Sequence, residues 1–266
     1  MIDQPTIAAV VTAGSNPQED DPLAAFTQGK PKALIPIAGK PMIAHVVDAL
    51  AGSRYIRHVV IVGLDPTAHV QFPVPVEHVP DAGGLLANVE VGLKYALDHH
   101  PDIDAMLLSS SDVPTVTTSI VDTFIEECLR TNHELYYSIV KRSVMEARFP
   151  ESRRSYIHLR EGDVAGGDIL LIRPSLTISQ RELWQNLARA RKNALRQTRM
   201  FGLWPLFKLV IRRLSLAEAE RRASKVLNVR GRAVPFPYAE IGMDVDKPFQ
   251  LEIARAELEA RASRLS

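Results

Sequence analysis

Short apolar runs alternate along this chain with segments of helical period. Ile7-Ala8-Ala9-Val10-Val11 opens the series, and comparable runs recur at 59–62, 105–108, 135–140 and 169–172. Between them, apolar positions fall at helical spacing over 41–50, 85–99 and 118–131. Strands alternating with helices predict an α/β fold, a three-layer sandwich around a mostly parallel central sheet. In open sheets of this kind ligands gather where loops leave the carboxyl ends of the strands. Two such exits stand out, Thr12-Ala13-Gly14-Ser15 and Ser109-Ser110-Ser111-Asp112-Val113-Pro114.

The pattern changes from about residue 179 to 224. Trp184, Leu187, Ala194 and Leu195 fall at roughly helical spacing with Arg and Lys between them, which predicts two or three basic amphipathic helices. Within this stretch the apolar run 200–211 is broken by Gly202 and Pro205 and is too short to span a bilayer. A sheet-like reading returns at 233–236 and at Gly242-Met243-Asp244-Val245-Asp246-Lys247-Pro248, and a helix over 249–264 follows. The expected organisation is one domain over 1–266 carrying a basic helical insertion at about 179–230.

Composition narrows the field. With 266 residues, 46% of them hydrophobic and 24% charged, the chain can bury a full core. A net charge of +1 argues against nucleic acid as the main partner, although 14 Lys and Arg face only three acids between Arg181 and Arg232. That basic stretch admits three readings: a helical cover over an active site, a homodimer contact using Trp184, Trp204 and Phe207, or an interfacial surface for anionic lipid or a lipid-linked substrate. The lone Cys128 excludes an internal disulfide and is expected to fill apolar space. The eight histidines show no zinc-site spacing. With neither a leader pattern nor an apolar run of about 20 residues, a cytoplasmic location is expected.

Candidate chemistry concentrates in the segment 29–43, Gly-Lys-Pro-Lys-Ala-Leu-Ile-Pro-Ile-Ala-Gly-Lys-Pro-Met-Ile. Holding a triphosphate while its α-phosphorus is attacked calls for cations and amide donors, because positioning and electrostatics carry most of the catalysis. Lys30, Lys32 and the backbone around Ala13, Gly14 and Ser15 are suitable parts. Asp112, placed just beyond a strand, is a candidate magnesium ligand, and Asp244 or Asp246 would complete the site if the final strand lies beside the one bearing Asp112. Each has a structural alternative: Asp112 as a helix cap or Asx turn, Asp244 and Asp246 as caps of the last helix, and Gly39-Lys40-Pro41 as a simple turn. Two glycine-bearing segments, 81–88 and 162–168, would let a ligand approach the backbone closely.

Taken in order, 9–14, Lys30-Pro31-Lys32 with Gly39-Lys40-Pro41-Met42, 111–114 and 244–248 resemble the nucleotidyltransferases similar to the molybdenum-cofactor guanylyltransferase. The wider group includes the sugar-phosphate and methylerythritol-phosphate nucleotidyltransferases. The resemblance covers most of the chain and implies a nucleotide-diphospho-sugar transferase-like fold. It implies an enzyme that transfers a nucleoside monophosphate from a nucleoside triphosphate to a phosphorylated small-molecule acceptor and releases pyrophosphate. By the same resemblance Lys32, supported by Lys30, contacts the phosphates, Asp112 and Asp246 hold Mg2+, Asn88 lies near base and ribose, and Gly167 shapes the acceptor side. One departure is that 15–29 carries Glu19, Asp20 and Asp21 but no basic residue, where the family has an Arg. Two other readings therefore stay open: a non-catalytic nucleotide-binding or regulatory module on the same fold, and a peripheral membrane protein using the basic insertion.

Overall fold

In the computed structural model, which describes residues 4–14, 21–179 and 213–265, strand β1 (Ile7–Thr12) is buried along its whole length. Ile7, Ala9 and Val11 join the core on one face, while Ala8 and Val10 join the core on the other. A strand covered on both sides has no solvent face to mark with polar residues, so its sequence reads as an unbroken apolar run.

β4 (Ile56–Val62) and β6 (Ala105–Ser110) flank β1 in parallel, and β5 (Glu77–Val79) extends the sheet in parallel from β4. On the other side β9 (Gly162–Ile172) runs antiparallel between β6 and β7 (Leu135–Lys141), and β10 (Gly231–Pro235) pairs in parallel with β7. The order is β10-β7-β9-β6-β1-β4-β5, with β8 (Ile157–Leu159) attached to β9. A separate ribbon pairs β2 (Pro36–Ile37) with β3 (Lys40–Pro41).

Helices cover both faces, so the expected α/β sandwich with a mostly parallel sheet is what the chain forms. α2 (Met42–Ala51) and α4 (Thr118–Leu129) bury Val46, Val47, Val121 and Phe124 against one face. α3 (Leu85–His99) buries Val89, Leu93 and Ala96 against the other, together with Leu176 of α6 (Pro174–Ser179). The chain enters α4 through Thr117, whose hydroxyl accepts a hydrogen bond from the Ile120 N–H at 3.4 Å. α7 (Leu216–Leu227) starts on a capping box formed by Ser215 and Glu218. α8 (Pro248–Leu265) buries Leu251, Ala254 and Leu258 against Ile35, Ile37 and Val245, which draws the end of the described chain onto the segment that carries Lys32.

Several elements depart from the sequence pattern. The strand expected at 169–172 begins seven residues earlier, at Gly162, because pairing with β7 and β8 holds a stretch that carries little apolar signal of its own. The expected strand at 242–248 does not form. The segment leaves a 3-10 turn at Ala239–Gly242 and joins no ladder, although Met243 and Val245 are buried and Asp246 is exposed, as an alternating strand would have them. Short β5, β8 and α5 (Arg142–Arg148) had no clear signature. Cys128 is buried, and that burial pushes its thiol pKa up, which keeps it an inert filler. Most of the basic insertion, including Trp184, Trp204 and Phe207, lies outside the described residues. Among the described residues no helix is long and apolar enough to cross a membrane.

Candidate active site

The loops after β1 and β6 meet at the carboxyl edge of the sheet. The Ser111 N–H donates to the Thr12 carbonyl at 3.1 Å, which holds the two strand exits side by side. Beyond Thr12 the backbone passes so close to a neighbouring loop that a Cβ on Gly63 would lie 2.5 Å from Gly14 Cα. Gly63 also has φ +88°, so glycine is required there on two counts. Asn88, on the first turn of α3, stands over Gly14: its Oδ1 accepts from the Ala82 N–H at 2.7 Å, leaving Nδ2 to face the glycine. A side chain on Gly14 would run into Asn88 Nδ2 and Asp81 Oδ2.

A cleft of about 640 Å³ opens over these loops. That volume lies within the range of small-molecule sites, roughly 300–1,000 Å³. On one wall Pro31 leads into a 3-10 turn, Lys32–Leu34, which sends the Lys32 side chain inward. Its Nζ donates to Asp112 Oδ2 at 2.5 Å and to Asp246 Oδ1 at 2.7 Å. Asp112 also accepts from the Ser110 hydroxyl through its other oxygen. The irregular segment after Gly242 is fixed to the same spot, since the Val245 N–H donates to the Asp112 carbonyl at 2.9 Å.

Four carboxylates face two cations here. Asp112 and Asp246 share Lys32, while Asp244 pairs with Arg154, whose guanidinium also donates to the Gly166 carbonyl at 3.2 Å. The fourth, Asp168, reaches Arg154 only at 4.0 Å, and its Oδ2 is shut off from solvent without a hydrogen-bond partner. Burial is the main cause that pushes the Asp168 pKa up to about 7, and the charge of Asp112 adds to it, while Arg154 opposes the shift. Although Oδ2 is enclosed, the side chain as a whole keeps 29% of its exposure, so screening by solvent moderates the effect. For Lys32, burial works against the charge, but Asp112 and Asp246 outweigh it and raise the pKa, keeping the ammonium charged.

Of the residues singled out in the sequence, Ala13, Gly14, Lys32, Asn88, Asp112, Gly167 and Asp246 all line this one cleft. Ala13 does so as shape rather than as a donor, because its N–H is spent on the Val62 carbonyl at 2.8 Å. Lys30 is exposed and stands outside the lining, two residues from Lys32 but on the far side of Pro31. Ser15 lies outside the described residues. Asp168 and Arg154 were missed. Asp168 ends the glycine-bearing stretch 162–168, where only its polarity in a buried strand could have marked it. Arg154 sits in a loop with no pattern at all.

The chain is similar to known proteins in sequence and fold. A family model described as the MobA-like NTP transferase domain matches residues 26–201, more than half of the chain. A 2-C-methyl-D-erythritol 4-phosphate cytidylyltransferase of Streptomyces avermitilis is 33% identical over 105 residues, which cover 37% of this chain. The match spans only 42% of that relative's length. Among solved structures, a hypothetical transferase from Thermus thermophilus superposes with a TM-score of 0.81 at 35% identity, covering 92% of this chain and 99% of its own. A 4-diphosphocytidyl-2C-methyl-D-erythritol synthase from Anaerococcus prevotii shares the fold with a TM-score of 0.59 at 12% identity, covering 96% of each chain.

Proposed function

The chain belongs to the family of MobA-like NTP transferase domains, and from that membership we propose that it transfers a nucleoside monophosphate from a nucleoside triphosphate to a phosphorylated small-molecule acceptor, releasing pyrophosphate. The observation that carries this reading is the Lys32 ammonium shared between Asp112 and Asp246 at the carboxyl edge of the sheet. Two carboxylates that converge on one cation, beside a third with an unpartnered oxygen, are an all-oxygen donor set with negative charge in excess.

That set fits Mg2+, which takes one or two carboxylates and completes its octahedron with water and phosphate oxygens. Asp112 and Asp246 would hold the ion, with Asp168 adjacent. When bound, the metal supplies neutralisation of the triphosphate's charge. The protein's own groups do the rest. Lys32, freed from its carboxylate partners, turns to the phosphate oxygens and offsets the charge that grows on the departing pyrophosphate. Gly14 lets Asn88 pack close over the strand exit, where the amide's Nδ2 offers donors to the nucleotide. An oxygen of the acceptor's phosphate attacks the α-phosphorus. The bond from that phosphorus to the oxygen bridging to the β-phosphate breaks, and the electron pair leaves with pyrophosphate. The far side of the cleft, around Gly167 and Tyr137 on β9 and β7, is where an acceptor has room.

The test is pyrophosphate release with each of the four common nucleoside triphosphates against a panel of phosphorylated acceptors in the presence of Mg2+. At least one pair is expected to react, and Asp112→Asn is expected to slow it by on the order of 10² or more while the fold stays intact. Nucleotide binding without pyrophosphate release from any pair would instead establish a binding module.

A further inference from the structure

At the opposite end of α3 from Asn88, three side chains from three elements converge. His58 on β4, Glu77 on β5 and His100 at the end of α3 each bring a ligand atom within 4.8 Å of the others. The backbone fixes this convergence. Glu77 is paired with Val60, and His58, two residues before Val60 on the same strand, points to the same face. α3 packs on that face and runs back so that its last turn ends over the two strands. His100 Nε2 bonds Glu77 Oε1 at 2.7 Å, and the His58 and His100 rings stack at 3.6 Å with 16° between their planes. All three residues are half-buried, within reach of solvent yet sheltered from it.

We propose that His58, Glu77 and His100 form a binding site for a divalent transition-metal ion, of the class of Zn2+, Co2+ or Ni2+, separate from the carboxylate centre of the cleft. Two imidazoles and one carboxylate are the donors that these ions prefer, whereas Mg2+ and Ca2+ seek oxygen alone. In a tetrahedral site with bonds of about 2.0–2.1 Å, neighbouring ligand atoms stand roughly 3.3–3.4 Å apart. A spread of 4.8 Å closes to that value by side-chain rotation, and water fills the remaining position. The proton on His100 Nε2 that now bridges to Glu77 shifts to Nδ1 or leaves to solvent, and the metal takes its place. The ion would clamp β4, β5 and the end of α3, closing the unit whose opposite end carries Asp81 and Asn88.

The measurement is titration of the full chain with Co2+ in excess Mg2+, which occupies oxygen-only sites, followed by visible d–d absorption. One equivalent with imidazole ligation is expected, displaced by Zn2+, and Zn2+ is expected to raise the melting temperature. His58→Ala and Glu77→Gln should each weaken Co2+ binding by roughly a hundredfold or more, since even changes beyond the first ligands cost about 10–100-fold. His58→Gln, closer in size, guards against a folding defect and should lose the metal while melting like the metal-free wild type. Failure of the wild type to bind Co2+, or binding by all three variants as tight as that of the wild type, would overturn the proposal.

Discussion

The Asp168 carboxyl group sits where its charge is least welcome, with one oxygen enclosed and unpartnered and Asp112 close by. Its ordinary value is 3.8, and in the folded protein it is pushed up to about 7. The folded state therefore holds a proton that the unfolded chain has already released, so stability falls as pH rises from 3.8 through 7. Asp168→Asn cannot ionise and escapes that loss. Relative to wild type, its urea midpoint should be unchanged or lower at about pH 4 and higher at about pH 8, and a pH-independent difference would refute the account. Lys30 and Lys32 illustrate a choice that sequence cannot make. Both belong to the same motif, but Pro31 and the turn after it direct only Lys32 onto Asp112 and Asp246. Lys32→Ala is expected to cut pyrophosphate release by on the order of 10², as loss of one charge-stabilising donor does, and Lys30→Ala to cost far less. Equal losses would show that Lys30 moves into the cleft during turnover.

Among the elements, β9 carries the most consequence for the site. Opposite Ser138 alone on β7 stand three residues of β9, Gly167, Asp168 and Ile169, because the pairing shifts between Tyr137–Leu170 and Ile139–Gly166. This bulge turns Asp168 towards the cleft. It is fixed by the Ser138 hydroxyl, which donates to the Ile169 carbonyl at 2.6 Å. Gly167 is needed here for space: a Cβ would fall 2.3 Å from Ser138 Oγ and 3.1 Å from its Cβ. Gly167→Ala should cost about 1–3 kcal/mol by overpacking. Combined with Ser138→Ala it should cost less than the sum of the two, and additivity in a double-mutant cycle would argue against the contact. Helices were far more legible than this bulge. α3 spans the residues that its apolar period marks, Leu85–His99, and α4 begins at Thr118, directly after its Thr117 cap. The first half of β9 was not, since Gly, Asp and Val at 162–168 carry no strand period and take their conformation from neighbours on both sides.

For the molecule as a whole, the order of its parts was readable, but the distances between them were not. Segments near 12, 32, 88, 112, 167 and 246 could each be marked as candidates, and the fold gathers all of them around one cleft. What no linear reading shows is that 243–246 keeps a strand's alternation without a strand's partners, docking through Val245 on Asp112 instead. Nor does it show that α8 presses this segment towards Lys32 through a shared apolar cluster. Asp168 and Arg154 stayed hidden for the same reason, since their roles come from a bulge and a loop that only the assembled sheet aligns. The bond between Lys32 and Asp246 spans 214 positions of chain. At translation rates of about 5–20 residues per second, Asp246 is made on the order of ten to forty seconds after its partner. On the ribosome, then, every described strand of the sheet, down to β10 at Gly231–Pro235, is made before Lys32 can meet Asp246, and the ion pair at the carboxyl edge has to wait for a sheet that is already there.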